Sequence, residues 1–137
     1  GRLLVREYED EHARRVAIAV DNALPDAVRD AAADGAITPE VEAQVASVER
    51  AISVAASLAA VYLEAGWTVE LCARGCRIPP GAGRSHEARI ARALALLAYA
   101  SPELAFAVLP PRVDSVLVVP RAVSAAGRPS AATVMDV

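Results

Sequence analysis

Arg14-Arg15-Val16-Ala17-Ile18-Ala19-Val20-Asp21-Asn22 is the stretch on which the fold turns. Two arginines lead into five uninterrupted apolar residues, and an aspartate and an asparagine close the run. Such a run, without polar alternation, predicts a strand buried on both faces, as in a parallel sheet covered by helices. In open α/β sheets, ligands sit beyond the carboxyl ends of such strands. Asp21 is therefore the first residue to consider for chemistry.

Outward from this run, Leu3–Tyr8 reads as a short strand, with a charged turn at Glu9–His12. Downstream, Pro25 to Ile37 is polar and alanine-rich and reads as a mobile loop ended by Gly35. Thr38-Pro39-Glu40 opens a long helix: threonine suits the N-cap, proline the first turn, and glutamate the positive helix end. Apolar residues at Val41, Val45, Val48, Ile52, Ala55, Ala59 and Tyr62 give it one buried face, and Gly66 stops it.

Trp67 to Arg74 alternates strictly. Trp67, Val69, Leu71 and Ala73 fall on one side; Thr68, Glu70, Cys72 and Arg74 fall on a less buried one. Cys76-Arg77-Ile78-Pro79 reads as an antiparallel edge strand ended by Pro79-Pro80-Gly81. A second helix opens at Arg84-Ser85, with Ser85 as N-cap and Ile90, Leu94 and Leu97 as its buried stripe. Ser101-Pro102-Glu103 repeats the cap-proline-acid start and predicts a short third helix. Val113–Val119 is a further strand halted by Pro120. Residues 124–137 form a small-residue tail, disordered unless Ala132-Thr133-Val134-Met135 pairs as an edge strand. The alternation of strands and helices predicts an α/β class: a three-layer, Rossmann-like, mostly parallel sheet flanked by helices.

Composition narrows function more by exclusion. The 137 residues suffice for one domain with a real core. A net charge of −3 points to neither nucleic acid nor an anionic membrane as partner. All fourteen basic residues are arginine, which excludes a Walker lysine, a Schiff base and a lysine general base. Two cysteines and no signal peptide suggest a reducing, cytoplasmic setting. The apolar stretch Ile52–Leu63 is shorter than the about 20 residues a membrane span needs. A first residue of glycine rather than methionine is in keeping with a processed protein, an engineered fragment or a piece of a longer protein.

The opening Gly1-Arg2-Leu3-Leu4-Val5-Arg6-Glu7-Tyr8-Glu9-Asp10-Glu11, running into Arg14-Arg15-Val16, resembles the central signature of the bacterial domain of unknown function 58 family. The later order of long helix, Gly66-Trp67-Thr68-Val69-Glu70-Leu71 strand, proline-glycine turn and arginine-rich helix is similar to that family in pattern. The resemblance covers residues 1–123 and implies a von Willebrand factor A-like domain there. It also implies a MoxR-type AAA+ ATPase as protein partner, a role in protein maturation, and a parent anchored in the inner membrane. Domains of that kind often bind a divalent metal through D-x-S-x-S, a distant threonine and a later aspartate. Here Asp21 matches, but Ala23 and Pro25 replace the serines and Pro120-Arg121 follows the later strand. Thr38, Thr68 and Thr133 fall outside the expected loop. The expectation is accordingly no metal and no cofactor.

No residue is assigned a catalytic role. Asp21 reads best as a strand-end aspartate capping the next turn. Cys72 and Cys76, spaced C-x3-C, read as packing cysteines; a zinc site would need both, with His12 and His86. Gly81-Ala82-Gly83-Arg84-Ser85 offers backbone amides to an anion but lacks a phosphate-loop pattern, and reads as a turn. His86 near Glu87, with Ser85, could suggest acid-base or nucleophilic work, but the sequence places no further member to orient the histidine and no triad is argued. Arg84, Arg89 and Arg92 read as a solvated helix face.

The expected function is a non-catalytic protein–protein interaction module. Its surfaces would be the loop after Asp21 and the turn at Pro79–Arg84, and an exposed Leu3–Tyr8 edge would allow a homodimer. Two alternatives remain. One is a divalent-metal-dependent ligand binder using Asp21. The other is a small hydrolase or nucleotide-binding enzyme, with a polar pocket by Asp21 lined by His86 or Ser85.

Overall fold

The computed structural model describes residues 14–106, 108–110 and 113–137. The Leu3–Tyr8 strand, the signature segment up to Ala13, and His12 lie outside them.

The Val16–Val20 run forms β1 (Arg15–Val20), with residues 16 to 20 all buried. The other elements are α1 (Asp26–Ala33), α2 (Pro39–Glu64), β2 (Thr68–Ala73), β3 (Cys76–Gly81), α3 (Gly83–Ala95), β4 (Asp114–Val119) and β5 (Thr133–Asp136). Among the described residues, five strands make one sheet in the order β3-β2-β1-β4-β5. β1 is central and parallel to both β2 and β4; β5 is parallel to β4, and only β3 is antiparallel. The chain is thus α/β with a mostly parallel sheet.

The helix starts at Thr38 as its capping chemistry requires. Thr38 Oγ1 accepts from Val41 N at 3.2 Å, Pro39 enters the first turn, and Gly66 follows the C-cap at φ +88°. By length and composition α2 could cross a bilayer, a span wider than Ile52–Leu63 alone suggested. Its Val48, Ala51, Ile52 and Ala55 are buried in the cluster that includes Val16, Ile18 and Val20.

Several expectations are corrected. The stretch read as mobile loop holds α1. Asp26 occupies its first turn and pairs with Arg29 one turn on, and Val28 is buried. The helix predicted from Ser101 does not form. The Pro102 and Leu104 carbonyls, which a helix would have used, accept from Arg74 Nη1 at 2.7 and 3.0 Å. β3 runs through Pro79 and Pro80 instead of ending there. An edge strand tolerates proline where no ladder bond is needed, and its register shifts between Val69 and Leu71. α3 starts at Gly83, two residues before the expected Ser85 cap, with no side-chain cap bond. The tail does join the sheet, as β5.

Among the described residues the two faces of the sheet are covered differently. Among the described residues, α1, α2 and α3 all pack on the face carrying Val16, Ile18, Val20, Leu71 and Val118. The opposite face presents Ala17, Ala19, Cys72, Leu117 and Val119, and is covered by Leu109, Phe106, Val113 and Ala131 from irregular chain. Alanine and cysteine there let an extended chain approach the sheet closely. Prolines 102 and 110 oppose a helix in that cover. This cover buries the side of β2 that alternation had marked as wetter: Glu70, Cys72 and Arg74 are 5%, 0% and 2% exposed.

Candidate functional site

From β1 the chain crosses to β2 on one side and later returns to β4 on the other. The carboxyl end of β1 is therefore the switch point of the sheet, where a ligand crevice is expected. Asp21 sits there, 0% exposed, its backbone N donating to Val118 O at 3.1 Å.

The crevice is filled by the chain itself. Asp21 Oδ1 accepts from Ala23 N at 3.0 Å and from Arg74 Nε at 2.9 Å. Oδ2 accepts from Arg128 Nε at 2.6 Å and, more distantly, from Arg74 Nη2 at 3.3 Å. Arg74 also donates to the Pro102, Leu104 and Ala126 carbonyls, and its guanidinium carbon lies 5.4 Å from the centre of the Phe106 ring. Arg128 Nη2 donates to Val123 O at 2.9 Å. Burial by itself would raise the Asp21 carboxyl. The donors from Arg74, Arg128 and the Ala23 amide outweigh burial and hold its pKa below the ordinary value. Among the described residues, one carboxylate and two guanidiniums leave this cluster with one excess positive charge. Both carboxylate oxygens are committed, and two cations stand where a metal would approach.

Asn22 completes the junction. Its Oδ1 accepts from Arg74 N at 2.9 Å, and its Nδ2 donates to Arg74 O and Ala98 O at 3.1 and 2.9 Å. Asn22 O accepts from Ala100 N, and Ala100 O accepts from Leu24 N, both at 3.0 Å. The loop after Asp21 is therefore buried through Leu24 and offers no partner surface until Pro25. The rest of that expected surface, from Asp26 to Ile37, is largely exposed.

The other candidates are elsewhere. His86 is 8% exposed, with Nε2 at 2.8 Å from Val69 O, near the start of β2. Val69 and Arg74 are five residues apart, roughly 16 Å at the rise of a strand. His86 and Ser85 thus lie toward the amino end of the parallel strands and Asp21 at the carboxyl end, so they do not line one pocket. The exposed turn Pro79–Arg84 is at that amino end too, since Gly81 pairs with Val69. Arg84 and Glu87 line an open groove of about 740 Å³ with Glu64, at the α2–α3 junction.

Cys72 and Cys76 are both free thiols, on opposite faces of the β2–β3 hairpin. Burial, with Glu70 adding to it, pushes the Cys72 thiol up to about 11. Glu70 itself accepts from Arg77 Nε at 2.9 Å. Among the described residues no three His, Cys, Asp or Glu side chains converge as a metal site would need. Thr38 caps α2, while Thr68 and Thr133 start β2 and β5, all away from Asp21.

Sequence reading found Asp21 and its turn-capping bond but missed Arg74 and Arg128. Alternation along residues 67–74 puts Arg74 on the wetter face. Arg128 is the only charged residue between Arg121 and Asp136, a weak signal that this tail answers a buried charge. Comparison with protein-family models, with curated proteins and with solved structures gives no match.

Proposed function

We propose that this chain is a von Willebrand factor A-like domain that acts through protein–protein contact, without catalysis or a metal of its own. Its partner on this reading is a MoxR-type AAA+ ATPase engaged in protein maturation. The family assignment rests on the resemblance of Gly1–Glu11 and Arg14–Val16. The observation that carries the non-metal, non-catalytic part is the commitment of both Asp21 oxygens to Arg74 and Arg128. The contact surface is the exposed Pro79–Arg84 turn with the adjoining groove at Arg84 and Glu87.

The test uses the full chain, tagged, as bait in the cells it comes from, with crosslinking, mass spectrometry, and ATP present or absent. The expected result is ATP-dependent capture of an AAA+ ATPase, lost with Arg84→Glu. Capture of no ATPase, or capture indifferent to Arg84→Glu, overturns the partner or the surface respectively.

A further inference from the structure

Of the two arginines on Asp21, only one is locked in place. The Arg74 side chain is 1% exposed and spends its donors on Asp21 and three carbonyls. Arg128 is 22% exposed and comes from the irregular return between β4 and β5. The ends of that return are fixed. Val123 is 3% exposed in the core, and Ala122 N donates to Ser47 Oγ at 3.1 Å. At the far end Ala132 N donates to Ser115 Oγ at 2.8 Å. Between them, residues 124–130 touch the buried pair in two ways: Ala126 O accepts from Arg74, and Arg128 reaches Asp21. Gly127, at φ +77°, makes the tight bend that lets its two neighbours face the same pair.

Charge balance makes the Arg128 contact the expendable one. With Arg128 in place the buried cluster carries an excess positive charge; without it, Asp21 and Arg74 remain as a neutral, hydrogen-bonded pair. Departure of the strap takes the Ala126 carbonyl from Arg74 Nη2, which keeps its 3.3 Å contact to Asp21 Oδ2, and frees Asp21 Oδ2 and Val123 O. These two acceptors are spaced to receive the Nε and Nη2 edge of one guanidinium.

We propose that residues 124–130 form a releasable strap, latched by Arg128, over a guanidinium-accepting site made by Asp21 Oδ2 and Val123 O. The group that fits when the strap lifts is the arginine side chain of a protein partner. The strap itself does not depend on which partner is proposed above.

The test is native-state cleavage by subtilisin of the wild-type chain and of Arg128→Ala, with circular dichroism to follow the fold. Cleavage within 124–130 is expected to rise by about tenfold or more in Arg128→Ala while the sheet stays intact. Millimolar methylguanidinium is expected to raise the Tm of Arg128→Ala, and methylammonium at equal concentration is not. An Arg128→Ala chain that does not fold makes Arg128 a fixed part of the core and overturns the strap. Unchanged cleavage, or equal effects of the two cations, overturns the latch or the site.

Discussion

The side chain of Asn22 pairs with both backbone polar groups of Arg74, Oδ1 with N at 2.9 Å and Nδ2 with O at 3.1 Å. It does the work of one more ladder residue where β1 and β2 have ended, and so fixes the backbone from which the Arg74 guanidinium turns toward Asp21. Asn22→Ala orphans the Arg74 N–H and C=O and takes a bond from Ala98 O, all at a buried site. Each orphaned buried group costs roughly 1–3 kcal/mol. We expect Asn22→Ala to lower stability by about 3 kcal/mol in urea unfolding, taking the lower half of that range for the groups together.

Asp21→Asn keeps the shape and removes the charge. It leaves the Arg74 guanidinium buried without its counter-ion, which costs about 3–5 kcal/mol. The pH dependence follows from the lowered pKa. The unfolded chain takes up a proton near 3.8 while the folded chain still holds the carboxylate. The contribution of Asp21 is therefore complete above that value and is lost as pH falls through the folded pKa. Urea midpoints taken from neutral pH downward should show this loss below about pH 4 in the wild type, and a shallower one in Asp21→Asn.

The parts of the fold written in local chemistry were legible. The Val16–Val20 run, the Thr38-Pro39 cap and the four-three spacing of α2 each depend on near neighbours in the chain; the strand and the cap form as read, and of the spaced residues only Val45 and Tyr62 are half-buried rather than buried. What failed depended on distant residues. Ser101-Pro102-Glu103 has the local form of a helix start, but Arg74, about thirty positions away, takes the carbonyls. Glu70, Cys72 and Arg74 alternate as an exposed face would, but the chain around Phe106 and Leu109 covers them. Asp21 was visible as the residue at the strand end. Its two arginines lie 53 and 107 positions away, and only the isolation of Arg128 in an otherwise uncharged tail hints at either.

At the other end of the sheet, Gly81 and His86 are in close approach. A Cβ at Gly81 would stand 2.4 Å from His86 Nδ1, and the ring cannot simply swing aside while its Nε2 holds Val69 O at 2.8 Å. Gly81→Ala should therefore cost about 1–3 kcal/mol through overpacking. His86→Ala alone removes a buried ring and also destabilises, but in the double variant the Gly81→Ala cost should vanish. A double-mutant cycle in urea measures this coupling, and additive costs would show that the clash is relieved some other way.

The two thiols should differ as their faces do. Cys72 is 0% exposed among Ala17, Ala19 and Leu117, with its pKa raised to about 11 by burial and by Glu70. Cys76 is half-buried on the helix-bearing side. The thiolate is the reactive species, so a disulfide reagent at mildly alkaline pH should titrate Cys76 promptly and Cys72 only on unfolding. A raised folded pKa also sets the direction of alkaline stability. The unfolded thiol ionises from 9.0 while the folded one does not, so stability falls as pH rises from there toward about 11. Cys72→Ala should remove that part of the alkaline loss, at the expense of a small cavity beside Ala17 and Ala19. Prompt reaction of both thiols in the folded chain would mean that the irregular cover over this face opens far more readily than its packing implies.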